Sequence, residues 1–409
     1  MNHMEKKLYF LLLLGLSMLF VACGPDSNEP APEPPGEGSR TVLAYIVADN
    51  NIDRFSSDDI AEMVEGMKTV NSSMCNLLVY LDGYSTTPVL YHIVKGKNGE
   101  VVKNVIKTYD EQNSTDITVM SEVMNRVFKE YPADSYGLVY WSHGEGWIPY
   151  PLPSTRWIGQ DNDGDYIRID NRMNLSAFAS VLEKAPHFDF ILFDACFMES
   201  IEVAYELRKY SDYFISSPTE TPGTGAPYDK VVPAMFSEND VAKNIAEAYV
   251  GSYIAKFDAS LPIGWNNPFN SKGEWIAGVA ISVMKSDALE NLANITKQVL
   301  PEKKVDNSEL RRAFNYDKRA GGVGYYDMAD IVRSLTDDDA YKAWETAFKE
   351  VRVYWNTTKY NFSDYGGVFS ATGANGISHY IPSVTNAKAN VAYRSTAWYS
   401  AAGLSKLGW

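Results

Sequence analysis

The chain has 409 residues, 45% of them hydrophobic and 13% aromatic, enough for one large domain or two smaller ones. Its 52 acidic residues outnumber 37 basic ones, for a formal net charge of −15. That balance argues against nucleic acid as a partner, since such binding runs on Lys and Arg neutralising phosphates; it fits solubility, or attraction to cationic partners.

The first element is a targeting segment. "MNHMEKK" places two lysines ahead of an apolar stretch, "LYFLLLLGLSMLFVA", that is too short to span a bilayer comfortably and has the layout of a secretory signal. Cys23 follows at once, and "LFVAC" resembles a bacterial lipobox, in which the cysteine is lipidated and becomes the new first residue. The expectation is loss of residues 1–22 and anchoring of Cys23 to the bacterial outer membrane, facing the periplasm or the outside. An ordinary signal peptide cut elsewhere is the alternative. Residues 23–40, with "GPDSNEPAPEPPGEGSR" after the cysteine, cannot bury a core and read as an extended tether. Cys75 and Cys196 are then the remaining cysteines. A disulfide between them is arithmetically open in an oxidising compartment, but two cysteines make no framework, and Cys75 precedes an apolar run where a buried, inert thiol is ordinary.

From Thr41 onward, apolar runs of strand length recur: 41–48, 76–82, 136–141, 188–194 and 213–217. They alternate with helix-like stretches over 57–67, 114–130, 175–184 and 199–209. Nearly continuous apolar strands separated by amphipathic helices predict an α/β fold with a mostly parallel sheet covered on both faces. Residues 87–109 differ. Two β-rich runs flank "KGKNGE", which predicts a hairpin at a sheet edge. The main core is therefore expected over 41–240. In the C-terminal part, 241–409, strands are expected at 275–284 and 376–382 and helices at 287–300 and 337–355; this part either extends the sheet or forms a helical subdomain.

Two stretches carry the chemistry. In "LVYWSHGEGW" a strand ends at Trp141 and His143 follows; in "FILFDACFMES" a strand ends at Asp194 and Cys196 follows. Reactive groups of parallel α/β sheets gather beyond the C-terminal strand ends. If the two strands are neighbours, imidazole and thiol share one crevice, and the imidazole can draw off the thiol proton to make a nucleophile. Gly144 has no Cβ, so a substrate carbonyl can approach its backbone N–H, which with the N–H of Cys196 would form an oxyanion hole. Cys196 follows His143 by 53 positions, close to the spacing of about 50 in caspase-type enzymes.

These residues resemble the clostripain family of cysteine peptidases, relatives of caspases, gingipains and legumains. "YIVADNNID" (45–53) resembles the family's opening strand and acidic turn, "LVYWSHGEGW" its histidine block, and "ILFDACFMESIEVAYEL" its cysteine block. "GYYDMADIV" (324–332) and "GISHYIP" (376–382) resemble its C-terminal signatures. The resemblance implies a caspase-like α/β/α sandwich, a His143–Cys196 dyad, oxyanion donors at Gly144 and Cys196, and cleavage of protein or peptide substrates after Arg or Lys. It also implies that Asp194 contacts the P1 side chain, the residue just before the cut; a purely structural, backbone-bonded Asp194 is the other reading. A second acidic pocket residue is expected within "SSPTETPGTGAPY" (216–228), where Thr224 stands in place of the expected Asp and Glu220 is near but not clearly equivalent. Members often mature by cutting themselves between the two catalytic blocks. Of Arg156, Arg168, Arg172 and Lys184, Arg156 lies in a Pro- and Ser/Thr-rich loop, so cleavage is expected at Arg156–Trp157.

"DNDGDYIRID" (161–170) carries Asp161, Asp163, Asp165 and Asp170, but Tyr166 stands where a calcium loop needs glycine. Turn chemistry is the preferred reading and a bound calcium ion the alternative. His92, His187 and His379 show no metal-ligand spacing, and no other cofactor or metal is expected. A monomeric, lipid-anchored cysteine endopeptidase is the leading expectation; a surface lipoprotein using this fold only for binding is the alternative.

Overall fold

The computed structural model describes residues 39–70, 75–96, 98–148, 157–165, 169–257, 261–319 and 324–409. The leader, Cys23 and nearly all of the tether fall outside them, as does Arg156. Among the described residues no helix is long and apolar enough to cross a membrane.

Nine strands form one sheet: β1 (Arg40–Ala48), β2 (Cys75–Gly83), β3 (Thr86–Lys95), β4 (Val101–Thr108), β5 (Ser135–Trp141), β6 (Phe188–Asp194), β7 (Ser211–Ser216), β8 (Ala280–Lys285) and β9 (Arg352–Thr357). Their order across the sheet is β9-β8-β7-β6-β5-β1-β2-β3-β4. The five central strands, β7 to β2, run parallel. Each edge is finished by antiparallel strands, β3–β4 on one side and β8–β9 on the other. The expected edge hairpin is thus present, and the C-terminal part extends the same sheet.

The central strands lack polar alternation because both faces are covered. Along β1, Leu43, Tyr45 and Val47 enter one core, while Val42, Ala44, Ile46 and Ala48 enter the other. Each such Val, Leu or Ile gains about 1.5–3 kcal/mol from full burial. The first core is closed by helices that include α2 (Ile117–Glu130), α3 (Leu175–Leu182), α4 (Ile201–Leu207), α7 (Leu289–Val299), α8 (Met328–Leu335) and α9 (Asp338–Val351). The second is closed by α1 (Asp53–Met67), α5 (Tyr228–Met235) and α6 (Val241–Phe257). The architecture is a helix–sheet–helix sandwich, α/β in class.

Helix α1 buries Ser56, Asp59, Ile60, Met63, Gly66 and Met67, the stripe expected of a helix lying on a sheet. A Cβ on Gly66 would come within 2.7 Å of Tyr228 O, so glycine is what lets α1 lie close on α5.

Three boundaries differ from expectation. The helix expected over 337–355 stops at Val351, and 352–357 instead forms the edge strand β9. Tyr354 and Trp355 continue the apolar spacing of the helix, but their β-favouring side chains pack against the sheet. The strand expected at 275–284 begins only at Ala280, because Gly278 is pressed against Thr358, whose Oγ1 would lie 1.8 Å from a Cβ there. The strand at 376–382 shrinks to Ser378–His379, paired with Tyr326–Asp327. Pro382 and the left-handed Gly376 (φ 89°) bound it.

Candidate active site

Strands β5 and β6 are parallel neighbours, and their register sets Trp141 opposite Asp194. His143 and Cys196 each lie two residues past that last pair, so they leave the sheet from one edge. Strand β1 flanks β5 on the other side, with Ile46 opposite Trp141, and brings the 49–52 turn to the same edge. Ser142 fastens the junction. Its hydroxyl donates to Val47 O at 2.8 Å, and its N–H donates to Asp194 O at 3.4 Å.

His143, Gly144, Asp194 and Cys196 all line one cavity of about 620 Å³, within the range of small-molecule and peptide pockets. Residues 266–269, Trp275, Phe362 and Tyr365, from the C-terminal part of the chain, also line it. His143 Nε2 lies 2.6 Å from Asn51 Oδ1. A carbonyl oxygen only accepts, so Nε2 carries the proton and Nδ1 is left as the basic nitrogen. Burial and, secondarily, the Arg172 charge lower the imidazole pKa to about 4.

The Cys196 sulfur accepts a hydrogen bond from Thr221 N–H at 3.3 Å. Burial, then the nearby Glu220 carboxylate, push the thiol pKa far up, against a smaller downward pull from Thr221 N–H. Histidine and cysteine therefore rest as a neutral pair. Glu220 is itself raised to about 7, mainly by burial. Glu145, which also lines the cavity, pairs with Arg319, whose Nη1 donates to both carboxylate oxygens, at 3.0 Å to Oε1 and 2.7 Å to Oε2.

The backbone around the thiol is tight. A Cβ on Gly144 would lie 2.8 Å from both Ala195 Cβ and Cys196 O, so the two segments touch through backbone. Phe197, next after the cysteine, has φ 60°, a conformation that costs a non-glycine residue energy and is held by its N–H bond to Thr219 O at 3.0 Å.

Asp194 falls on the sheet face covered by α1, α5 and α6. It is 5% exposed. Its Oδ2 accepts from Ala226 N–H and the Tyr228 hydroxyl, each at 2.8 Å, and its Oδ1 accepts from the Tyr249 hydroxyl at 2.9 Å. Burial raises its pKa and these three donors oppose the rise. Thr224 does not face the carboxylate in this way; its hydroxyl pairs with Tyr253 OH at 2.9 Å.

Trp157, on the far side of the expected cut, is buried against the site. Its ring centroid lies 6.2 Å from that of His143, and its carbonyl accepts from Glu145 N–H at 2.6 Å. Among the described residues no three acidic, histidine or cysteine groups are placed to hold a metal ion. Asp161 points inward and accepts from Ser114 and Asp163 N–H groups, Asp49 accepts from Gly164 N–H, and Asp170 pairs with Arg172. With Asp163 at φ 46° and Gly164 at φ 71°, the described part of the 161–170 loop is a tight turn. His379 is a core residue: its Nδ1 bonds Tyr380 O and its Nε2 takes the Trp398 indole N–H.

Sequence reasoning did not find Asn51, Glu145 or the C-terminal residues that line the cavity. Asn51 sat inside a stretch read as an acidic turn, and its partner lies 92 residues away.

The model of the clostripain family matches residues 44–401. The chain is 23% identical to clostripain of Hathewaya histolytica, over 90% of this chain and 80% of that protein. Among solved structures it is similar to a secreted C11 cysteine protease from Bacteroides thetaiotaomicron in complex with an irreversible peptide inhibitor, at 44% identity and a TM-score of 0.80, covering 90% of this chain and 99% of that one. It is also similar to an inactive zymogen C11 protease from Parabacteroides distasonis, at 31% identity and a TM-score of 0.73, covering 90% and 99%.

Proposed function

Because the chain belongs to the clostripain family and is a cysteine endopeptidase, we propose that it works through a His143–Cys196 dyad and cuts after Arg or Lys. The observation that carries this reading is the shared edge: adjacent parallel strands deliver imidazole and thiol to one cavity whose floor is a buried carboxylate. As the Cys196 sulfur attacks the substrate carbonyl carbon, its proton passes to His143 Nδ1. The developing oxyanion takes the N–H groups of Gly144 and Cys196. His143 then returns the proton to the leaving amine, and a thioester remains. Water, deprotonated by the same imidazole, hydrolyses it and frees the thiol. A P1 cation reaches Asp194 by charge-assisted hydrogen bonds. Cys196→Ala and His143→Ala should each lower kcat/KM by on the order of 10³-fold or more while leaving the melting temperature nearly unchanged. Near-normal turnover of an arginyl peptide by either variant rules the dyad out.

Maturation by cleavage at Arg156–Trp157 belongs to the same reading. Trp157, the residue after the expected cut, packs beside His143, which supports this reading, and one relative is described as an inactive zymogen. N-terminal sequencing of active enzyme should find Trp157. A fully active uncut chain, or the same cut in purified Cys196→Ala, excludes self-cleavage there. The enzyme acts as a monomer tethered through lipidated Cys23; a Cys23→Ser chain should lose incorporation of an alkyne fatty acid and leave the membrane fraction.

A further inference from the structure

Resting on the basic P1 reading above, we infer that Asp59 is the second acidic residue of the P1 pocket, supplied by helix α1 to stand beside Asp194 at Gly225. Asp59 sits on the buried stripe of α1, between Ser56 and Ile60, where an apolar residue would serve packing better. It is 2% exposed. Its Oδ2 has no hydrogen-bond partner. A buried carboxylate without a cation is costly, so such a group is kept for a ligand, for a proton, or for both in turn.

Its position says which ligand. Gly225 lines the cavity together with Asp194 and Trp141. From the point where a Cβ on Gly225 would stand, Asp194 Oδ2 is 2.8 Å away, Asp59 Oδ2 is 3.2 Å away and Trp141 Nε1 is 3.2 Å away. Two carboxylate oxygens thus stand against one glycine of the cavity lining, with no room for a side chain between them. Gly225 has φ 58°, so glycine suits the position twice over, and only its backbone separates the two carboxylates from the cavity there. The Trp141 indole N–H stands at the same glycine and favours the charged form of Asp59. Asp194 already receives three hydrogen bonds, so a guanidinium with five donors is better satisfied by two carboxylates than by this one alone. The neighbouring loop offers no substitute, since the Thr224 hydroxyl is engaged with Tyr253.

The charges are consistent. Burial, then the charges of Asp194 and Glu62, raise the Asp59 pKa well above the usual range. With no cation beside it, burial favours the protonated form of Asp59. An arriving P1 cation displaces that proton, and the dyad of carboxylates gains the charge that matches it.

The test compares arginyl, lysyl and norleucyl P1 peptides on the mature full-length enzyme and on Asp59→Asn, with active sites titrated by an irreversible inhibitor. The ratio of kcat/KM for arginine to that for norleucine should fall at least about tenfold in Asp59→Asn. If the wild type prefers basic P1 residues and Asp59→Asn keeps the same ratio, Asp59 is only structural and the inference is overturned alone. A wild type without preference for basic P1 overturns the P1 reading itself, and this inference with it. Should Asp59→Asn not fold, calorimetry of P1-arginine and P1-citrulline peptides binding to Cys196→Ala, first cut in trans by wild-type enzyme that is then removed, in buffers of different ionisation enthalpy, decides instead. Proton release with arginine and not with citrulline supports the pair of carboxylates; equal proton exchange for both overturns it.

Discussion

In the proposed mechanism Asn51 orients the base, His143. Its bond to His143 Nε2 fixes the tautomer and turns Nδ1 into the acceptor. Asn51→Ala should lower kcat by about 10–100-fold with KM little changed, a part of the 10²–10⁴ that general acid–base catalysis supplies. Steady-state kinetics on a saturating arginyl peptide reads this directly, and a loss confined to KM would assign Asn51 to substrate binding instead. The neutral resting pair makes a second prediction. An ion-paired thiolate would be alkylated at a constant rate across neutral pH. Here burial lifts the thiol and lowers the imidazole, so thiolate is scarce until the pH is high. Inactivation of substrate-free enzyme by iodoacetamide should keep accelerating from about pH 6 to about pH 9. A plateau in that range would show a preformed ion pair. Activity at neutral pH then depends on His143 taking the proton during attack, as the proposed mechanism has it.

The elements meet at backbone. Gly144 touches Ala195 and Cys196 with no room for a methyl group, which joins the loop after β5 to the loop after β6. Gly144→Ala must push the two loops apart, at a cost of about 1–3 kcal/mol. It should lower the melting temperature and reduce kcat by more than it raises KM, because the donors to the oxyanion move. A variant with full kcat would show that the close approach serves packing alone. The contact also explains what could be read from the chain beforehand. His143 and Cys196 were legible because each follows a strand buried on both faces, and such strands announce themselves as unbroken apolar runs. That β5 and β6 are neighbours, with Trp141 opposite Asp194, is a matter of sheet order, which local pattern does not encode. Asn51 and Asp59 were illegible for the same reason, since their roles depend on β1 and α1 arriving at an edge made by residues far along the chain. The overrun of the helix past Val351 had a local cause. Tyr354 and Trp355 satisfy helical spacing and strand propensity at once, and the sheet edge decides between them.

Across the whole molecule the buried carboxylates push in one direction. Asp82, at the end of β2, has its pKa raised by burial and by the adjacent Asp161, which accepts from Ser114 and Asp163 N–H groups. The Ser114 hydroxyl donates to Asp82 Oδ2, and Asp82 Oδ1 is left without a partner unless it carries a proton and donates it to Asp161. Glu199, Glu220, Asp59 and Asp194 are raised as well, each chiefly by burial. A carboxylate with a raised folded pKa binds more protons folded than unfolded, between its unfolded and its folded pKa. Its contribution to stability is therefore lost as the pH climbs through that window. The half-buried His92 and His143, lowered to about 4, and the buried His379, also lowered, act in the opposite sense, but only below their unfolded value of about 6.5. Above that value the carboxylates dominate, opposed from about pH 8 by Lys318, whose amine burial lowers to about 8, and the net charge of −15 adds self-repulsion. The protein should then lose thermal stability from about pH 7 to about pH 9, the reverse of what surface ion pairs give. Asp82→Asn keeps a donor for Asp161 and removes the charge that must be buried. It should raise the melting temperature by a few degrees near pH 9, by less near pH 7, and flatten the slope between them. Scanning calorimetry of the Cys196→Ala background, which prevents self-digestion, makes the comparison clean. A melting temperature that rises with pH, or an Asp82→Asn variant destabilised equally at both pH values, would mean that the Asp82–Asp161 pair is held ionised by the fold.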